Sequence, residues 1–215
     1  MLKQCFRYFY IMFIPAHYRN EDISEVRQFL SENSFGILVS QVDGRPWATH
    51  IPLELDVDEE GNDILVSHIA KANPQWKQFS ATQEVLCIFN GPHSYISSSW
   101  YQKEEVPTWN YIAVHVYGKL RILDEPAVLE SMHKLVDKYE QNSQCPVSIN
   151  NLSAKTMRQI KGVVGFQIHI TEIQAAKKMS QGREHDHPRI IEELEKQDPQ
   201  SIAVAKVMKE NSESR

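Results

Sequence analysis

Residues 91–111, GPHSYISSSWYQKEEVPTWNY, carry five aromatic rings among hydroxyl groups, two prolines and one glycine. This composition is too polar for a core strand and too aromatic for a spacer loop. Indole and phenol rings beside Ser, Thr and Asn side chains suit a flat ligand, which needs a stacking surface and hydrogen-bonding edges. The chain's tryptophans are Trp47, Trp76, Trp100 and Trp109. We therefore expect a ligand site in the part of the chain that they span.

A second segment whose residues could bind a ligand is residues 68–74, HIAKANP. It follows a predicted strand and opens a helical turn. Its backbone N–H groups, the Lys71 ammonium and the Asn73 amide could therefore hold a phosphate without a glycine-rich loop. Thr49 and His50, on the preceding strand, would add hydroxyl and imidazole donors. The structural alternative is that Asn73 only caps the turn and Lys71 is a surface charge.

Several kinds of site are excluded or disfavoured. The chain contains neither G-x-G-x-x-G nor G-x-x-x-x-G-K-[ST], so a Rossmann or P-loop phosphate cradle is excluded. His185 and His187 are better explained as a solvated polar loop than as metal ligands. His50 and His68 lie on neighbouring predicted strands, where packing or hydrogen bonding is the usual role of histidine. We expect no metal, and no nucleophile–base pair nominates a catalytic residue.

Length and composition are those of an ordinary soluble globular protein. The chain has 215 residues, is 41% hydrophobic and 24% charged, and carries a formal net charge of -5. That charge argues against a surface devoted to nucleic acid but leaves room for a local basic patch. Cys5, Cys87 and Cys145 show no Cys-x-x-Cys spacing, which indicates free thiols in a reducing cytoplasm.

The two ends of the chain are expected to lie outside the main domain. Residues 1–11 precede the main pattern, and we interpret them as an N-terminal extension or extra strand rather than a secretory signal. No segment approaches the ~20 apolar residues that a membrane helix needs. Residues 184–215 are expected to form a helical, charged tail.

Hydrophobic periodicity predicts a mainly β chain with helical additions. Predicted strands are residues 36–41, 46–55, 63–69, 85–90, 112–123 and 163–173; predicted helices are residues 21–33, 127–140, 153–160, 189–195 and 202–210, with a helical turn at 73–79. Gly91 and Pro92 are expected to end the fourth strand, and Ile122 is placed on the inward face of the fifth. Tight turns between consecutive strands imply an antiparallel sheet, and few glycines favour a closed or nearly closed barrel.

Long strings of the sequence resemble the PaiB family, the FMN-binding negative transcriptional regulators. They include MFIPAHYRNED at 12–22, ENSFGILVS at 32–40, GRPWATHIPLELD at 44–56, SHIAKANPQW at 67–76, VLCIFNGPHSYISSSWY at 85–101, VPTWNYIAVHVYGK at 106–119 and IKGVVGFQIHI at 160–170. The resemblance covers residues 12–183. It implies an antiparallel split β-barrel, similar to pyridoxamine-phosphate oxidases and flavin reductases. It also implies a homodimer that holds FMN in a cleft between subunits.

The resemblance also implies the residues of the site. Thr49, His50, Ile51 and Pro52 would run beside the isoalloxazine; Ser67, His68, Lys71 and Asn73 would surround the ribityl phosphate; Trp100, Thr108 and Trp109 would line the cleft, in the same or the partner subunit. Ser67 stands where the family commonly has Gly, Lys71 where Arg is usual, and Gly182 where Asn is usual. Lysine keeps the charge but loses the bidentate fork of arginine, which would lower phosphate affinity.

Two functions follow from the resemblance. The first is a flavin-binding repressor of transcription, acting on DNA directly or through a protein partner. The helices at 127–140 and 153–160 are too far apart for a helix-turn-helix, so no DNA-reading element is visible. The second is an FMN-dependent oxidoreductase that uses the same cleft on a small substrate, with the flavin carrying the chemistry. Haem handling is a third possibility, but the chain offers no convincing axial ligand.

Overall fold

The structure is a computed structural model that describes residues 12–213. The predicted extension at 1–11, with Cys5, lies outside the described residues. The strands are β1 Phe35–Val42, β2 Arg45–Pro52, β3 Glu54–Val57, β4 Asp63–Ala70, β5 Glu84–Ile96, β6 Thr108–Ile122 and β7 Val163–Lys178. The α-helices are α1 Ile23–Glu32, α2 Glu125–Glu140, α3 Ala154–Met157, α4 His187–Leu194 and α5 Pro199–Glu213.

The seven strands form one sheet in the order β2-β1-β5-β6-β7-β4-β3. The pairs β1–β2, β1–β5, β3–β4 and β4–β7 are antiparallel. The predicted fold class is confirmed: the chain is mainly β with α additions, an antiparallel split β-barrel flanked by helices. Among residues 12–213, no helix combines the length and hydropathy needed to cross a bilayer.

Close contacts divide the described chain into two units. The larger unit comprises residues 22–91 and 114–173, and the smaller unit comprises residues 12–21, 92–113 and 174–213. Strands β5, β6 and β7 each contribute residues to both units. Each unit is described by itself below.

Local sequence signals determine several elements of the larger unit. Asp22 caps α1 by accepting the Glu25 N–H at 3.0 Å, as expected for an N-cap carboxylate. The β1–β2 hairpin turns through Asp43 and Gly44, both with positive φ, which is the usual chemistry of a two-residue turn. The free thiol of Cys87 is fully buried in β5.

The sheet curves so that its two ends approach each other in the larger unit. The Ser67 hydroxyl in β4 donates to the Pro52 carbonyl at the end of β2. The Leu53 N–H donates to the Ser34 carbonyl at 2.7 Å. Leu53 is fully buried and interrupts the predicted strand at 46–55, because β2 pairs with β1 whereas β3 pairs with β4. One predicted strand is therefore two strands.

The prediction that Gly91 and Pro92 end the fourth strand is wrong, because β5 continues to Ile96. Pairing between β1 and β5 runs from Ile37–Val39 to Leu86–Ile88. Pro92 lies beyond that pairing, where its missing N–H removes no bond to β1. Residues 91–111 therefore comprise the end of β5, a 3-10 helix at Ser98–Trp100, an irregular segment at 101–107 and the start of β6.

Strand β6 alternates as expected, with Val114, Val116 and Leu120 buried. Ile122 is an exception to the predicted inward face, because its side chain is 45% exposed. The strand ends at this residue, and Asp124 caps the following helix α2. Strand β7 runs five residues beyond its predicted end at Ile173, to Lys178.

The core of the smaller unit is built largely from the two C-terminal helices. Buried side chains of α4 and α5 pack with residues at or beyond the ends of β5 and β7; the cluster is Ile96, Tyr101, Met179, Ile190, Leu194, Val204, Ala205 and Met208. Alternation along β5 places Ser94 inside, where its hydroxyl lies 2.9 Å from that of Ser201. The helices predicted at 189–195 and 202–210 are confirmed.

We expect Gly118→Ala to destabilise the fold. A methyl group at this position would lie 2.5 Å from the His169 carbonyl oxygen and 2.5 Å from the Ile168 side chain. Because the carbonyl belongs to strand β7 and cannot rotate away, the free energy of unfolding should fall by at least ~1–3 kcal/mol. Urea denaturation followed by circular dichroism measures this change.

Gly162→Ala is the matched control, since nothing lies within 4 Å of the position that its methyl group would occupy and its φ is not positive. We expect it to change stability by less than about 1 kcal/mol. Equal destabilisation by both substitutions would contradict the close packing assigned to Gly118.

Candidate functional site

A buried amide joins the predicted phosphate segment to strand β2. Gln75 is fully buried. Its side-chain carbonyl accepts the Thr49 hydroxyl at 2.6 Å, and its side-chain NH₂ donates to the Ser40 hydroxyl at 3.0 Å. Asn73 donates to the Thr49 oxygen at 3.0 Å and accepts the Gln75 N–H at 3.0 Å. Thr49 and Asn73 are therefore brought together, and Asn73 caps the 3-10 helix Pro74–Gln78.

Alternation along β2 separates the residues predicted there. Thr49 lies opposite Leu38, which is fully buried, and Ile51 is buried on the same side. His50 points to the other face of the strand and is exposed. Thr49 and His50 therefore cannot contact one ligand from the same face of β2.

Alternation along β4 likewise places the predicted residues Ser67 and His68 on opposite faces of the strand. Ser67 is buried, and its hydroxyl is already bonded to the Pro52 carbonyl. His68 lies opposite Gly165, where an added methyl group would meet Val128 of α2 at 2.5 Å. Directly opposed residues share a face, so His68 points toward α2. Burial lowers the pKa of its imidazole, which is therefore neutral at pH 7.

Lys71 is exposed and lines a pocket of about 360 Å³ together with Trp76 and Lys161. The backbone fixes this segment, because the Lys71 N–H donates to the Gly162 carbonyl at 2.8 Å and the Trp76 indole donates to the Lys71 carbonyl at 2.9 Å. Glu125 also lines the pocket, but within residues 12–213 neither lysine forms an ion pair with a carboxylate. The pocket therefore offers two unpaired cations and an aromatic ring to an anion.

The remaining predicted site residues belong to the smaller unit. Trp109 is 53% exposed, and its ring centroid lies 6.1 Å from that of His93 and 6.2 Å from that of Tyr95. These rings form an exposed aromatic surface. Thr108 accepts a hydrogen bond from the Lys178 ammonium. Trp100 is half-buried against the cluster formed by α4 and α5.

Sequence reasoning missed three polar residues that the structure makes important: Gln75, Lys161 and Lys178. Burial, followed by the nearby charge of Arg183, lowers the pKa of Lys178, whose ammonium lies 5.3 Å from the Tyr18 ring centroid. Lys161 is part of a short basic run with Lys155 and Arg158, and this run is the local sequence feature that could have indicated an anion site. The burial of Gln75 could not be predicted from its residue type, because glutamine side chains are mostly exposed.

The residues of the larger unit fit FMN. A flavin mononucleotide presents a flat ring, a polar ring edge and a phosphate dianion. Strand β2 lies at one end of the strand order. An edge strand has unpaired backbone N–H and C=O groups, which could bond the polar edge of the flavin ring. Trp47 on the same strand is 38% exposed. Lys71 and Lys161 supply the positive charge that a phosphate requires.

Comparison with known proteins agrees with this fit. The family model described as "Putative FMN-binding domain" matches residues 12–172. A Bacillus subtilis protein named "Protease synthase and sporulation protein PAI 2" is 42% identical over 202 residues, which cover 93% of this chain and 97% of the relative. An uncharacterized protein of Emericella nidulans is 29% identical over 212 residues, which cover 79% of this chain and 84% of the relative.

Solved structures show the same fold at low sequence identity. The flavocytochrome Anf3 from Azotobacter vinelandii has a TM-score of 0.57 at 17% identity, covering 75% of this chain and 70% of that one. The FAD and heme binding protein from Mycobacterium smegmatis has a TM-score of 0.57 at 12% identity, covering 75% and 73%.

The family match spans well over half of the chain, and the Bacillus subtilis relative aligns along nearly its whole length. Family and fold therefore agree with the residues around β2 and Lys71. The chain belongs to the PaiB family of FMN-binding split-barrel proteins, whose cofactor is FMN.

Proposed function

We propose that this FMN-binding protein is a negative transcriptional regulator of the PaiB type. The observation that carries the proposal is the 42% identity to the Bacillus subtilis relative named "Protease synthase and sporulation protein PAI 2". The alignment covers 97% of that relative, so the two chains have nearly the same extent. Bound FMN would supply reversible redox chemistry, and the protein would orient the ring and limit its access to water.

Lys71, with Lys161 in the same pocket, would receive the phosphate of FMN. The backbone of Thr49 and Ile51 would face the polar edge of the ring, whereas the Pro52 carbonyl is already bonded to the Ser67 hydroxyl. The network of Gln75 keeps β2 and the 3-10 helix Pro74–Gln78 in a fixed relation, so the cation and the strand edge are positioned together. Thr108 and Trp109 would complete the cleft from a second subunit.

We expect Lys71→Ala to weaken FMN binding by about 10-fold to 100-fold, because a charge-assisted hydrogen bond contributes about 1.5–3 kcal/mol. The fold should be unaffected, since Lys71 is exposed. Quenching of flavin fluorescence on titration with the protein measures the affinity.

Lys77→Ala is the matched control, because Lys77 is an exposed lysine on the 3-10 helix Pro74–Gln78 that follows Lys71 but does not line the pocket of Lys71. It should leave FMN affinity unchanged. The proposed phosphate position would be wrong if Lys71→Ala bound FMN as tightly as the unmodified chain does.

We also propose a homodimer. The outer face of β1 and β5 carries aligned aliphatic pairs, Ile37 with Ile88 and Val39 with Leu86. All four side chains are half-buried, and Phe35 on the same face of β1 is 68% exposed. An apolar sheet face of this kind is typical of a protein–protein interface. Exposed His50 lies on the same face, so the second subunit would approach β2.

The expected result is a dimeric mass for the unmodified chain at micromolar concentration and a monomeric mass for Ile37→Glu, because a buried unpaired charge disfavours association. Light scattering coupled to size exclusion measures both masses. Val57→Glu is the control, since Val57 is 49% exposed at the end of β3. A monomeric unmodified chain would exclude this interface.

The net charge of -5 requires that any direct contact with DNA use a local basic surface. The smaller unit contains a groove of about 700 Å³ whose lining includes Arg19, Lys177 and Lys209. Glu184 is the acidic residue in the same lining. Arg19 pairs with Glu21 and Lys209 pairs with Glu195, so DNA phosphates would compete with these carboxylates. This groove is the basic surface that we propose for direct contact with DNA.

We expect the FMN-loaded protein to retard a DNA fragment that carries the promoter of its own gene, with affinity falling as salt rises. Lys177→Glu should weaken binding, whereas Lys119→Glu, an exposed lysine on β6 outside the groove, should not. No retardation, together with oxidation of NADH or NADPH by the FMN-loaded protein, would instead favour an FMN-dependent oxidoreductase.

A further inference from the structure

A separate pocket of about 300 Å³ lies in the larger unit, on the side of the sheet that faces α2. It is lined by residues of β3, β4 and α2, together with Ser31 of α1 and Pro52 at the end of β2. His68 contributes its side chain here because it shares the α2 face with Gly165. The pocket is therefore distinct from the pocket of Lys71 and Trp76, which has none of the same lining residues.

The charges around this pocket cancel. The Lys138 ammonium donates to the Glu54 carboxylate and to the Ser31 carbonyl, the latter at 2.8 Å. The Lys134 ammonium lies 2.7 Å from the Asp56 carboxylate. Two cations and two anions are thus paired with each other. A charged ligand would find no unpaired counter-charge, so the pocket favours a neutral molecule.

The interior is mostly apolar, with one available polar group. Leu55, Val66 and Leu135 line it. The Ser131 hydroxyl is already bonded to a carbonyl of its own helix at 2.8 Å. The His68 imidazole remains, and a neutral imidazole has one donor and one acceptor nitrogen. A ligand would therefore make one directed hydrogen bond in a partly open pocket whose surface is mostly apolar.

The volume limits the size of the ligand. An apolar cavity of about 150 Å³ holds benzene. The pocket beside His68 is about twice that size, which corresponds to two fused rings. We propose that the space between α2 and β4 is a binding site for a small neutral bicyclic aromatic molecule, oriented by one hydrogen bond to His68 and independent of the FMN site.

Indole is a suitable probe, because it is neutral, has two fused rings and carries one N–H donor. We expect a saturable shift of the His68 ring signals when indole is added to the full chain labelled at histidine, with half-saturation below about 5 mM. Ser131→Phe should fill the pocket and weaken indole binding by at least about tenfold. Asp137→Phe, an exposed position on the same helix, should have no effect.

A second variant keeps the proposal falsifiable if Ser131→Phe fails to fold. His68→Leu retains an apolar lining but removes the hydrogen bond, so indole affinity should fall about 5-fold to 10-fold. Because this variant lacks the reporting imidazole, its affinity and that of the unmodified chain are compared by equilibrium dialysis of indole. Absence of saturable shifts would overturn the proposal. Displacement of indole by FMN would overturn it as well, because the pocket would then belong to the flavin site. Retention of indole in FMN-saturated protein supports it, whether or not the regulatory function holds.

Discussion

The side-chain amide of Gln75 is the interaction on which the arrangement of the candidate flavin site depends. It is fully buried and connects Ser40 of β1, Thr49 of β2 and the capped start of the 3-10 helix that follows Lys71. An unsatisfied amide at this depth would cost about 1–3 kcal/mol, so the three elements are held in the one geometry that satisfies it. The position of Lys71 relative to β2 is a consequence of that requirement rather than of contacts made by the Lys71 side chain.

Helix α2 is attached to the barrel by a different kind of contact. Tyr139 places its hydroxyl 2.5 Å from that of Ser34 and donates to the Glu54 carboxylate at 2.9 Å, while Lys138 pairs with the same carboxylate. These polar contacts lie near one end of the helix, and Val128 packs against Gly165 near the other end. The space between the two attachments is the pocket beside His68. Because the helix is fixed at both ends, its middle need not pack closely on β4.

Local signals made much of the fold predictable from sequence. The Asp43–Gly44 turn, the Asp22 and Ser153 caps and the alternation of β6 are encoded within a few residues, and each is present in the structure. Non-local pairing was not predictable. Leu53 interrupts an apparently continuous strand because the chain changes partner there, and Pro92 is tolerated because β1 has already ended its pairing with β5. For the candidate site, residue type could not show that His50 and His68 face away from Thr49 and Ser67. That assignment depends on register, in which a shift of one residue reverses every side chain.

The two unpaired lysines near Trp76 have a consequence for the amount of protein in a cell. Lys71 and Lys161 line one pocket without an ion-pair partner in the described chain, so a bound anion would be attracted by both charges. A ligand that binds the folded state alone raises the free energy of unfolding in proportion to the logarithm of its concentration over its Kd. Flavin supply would then affect how much of the chain stays folded and escapes proteolysis. The abundance of the protein in the cell, as well as its conformation, would then depend on the concentration of available flavin.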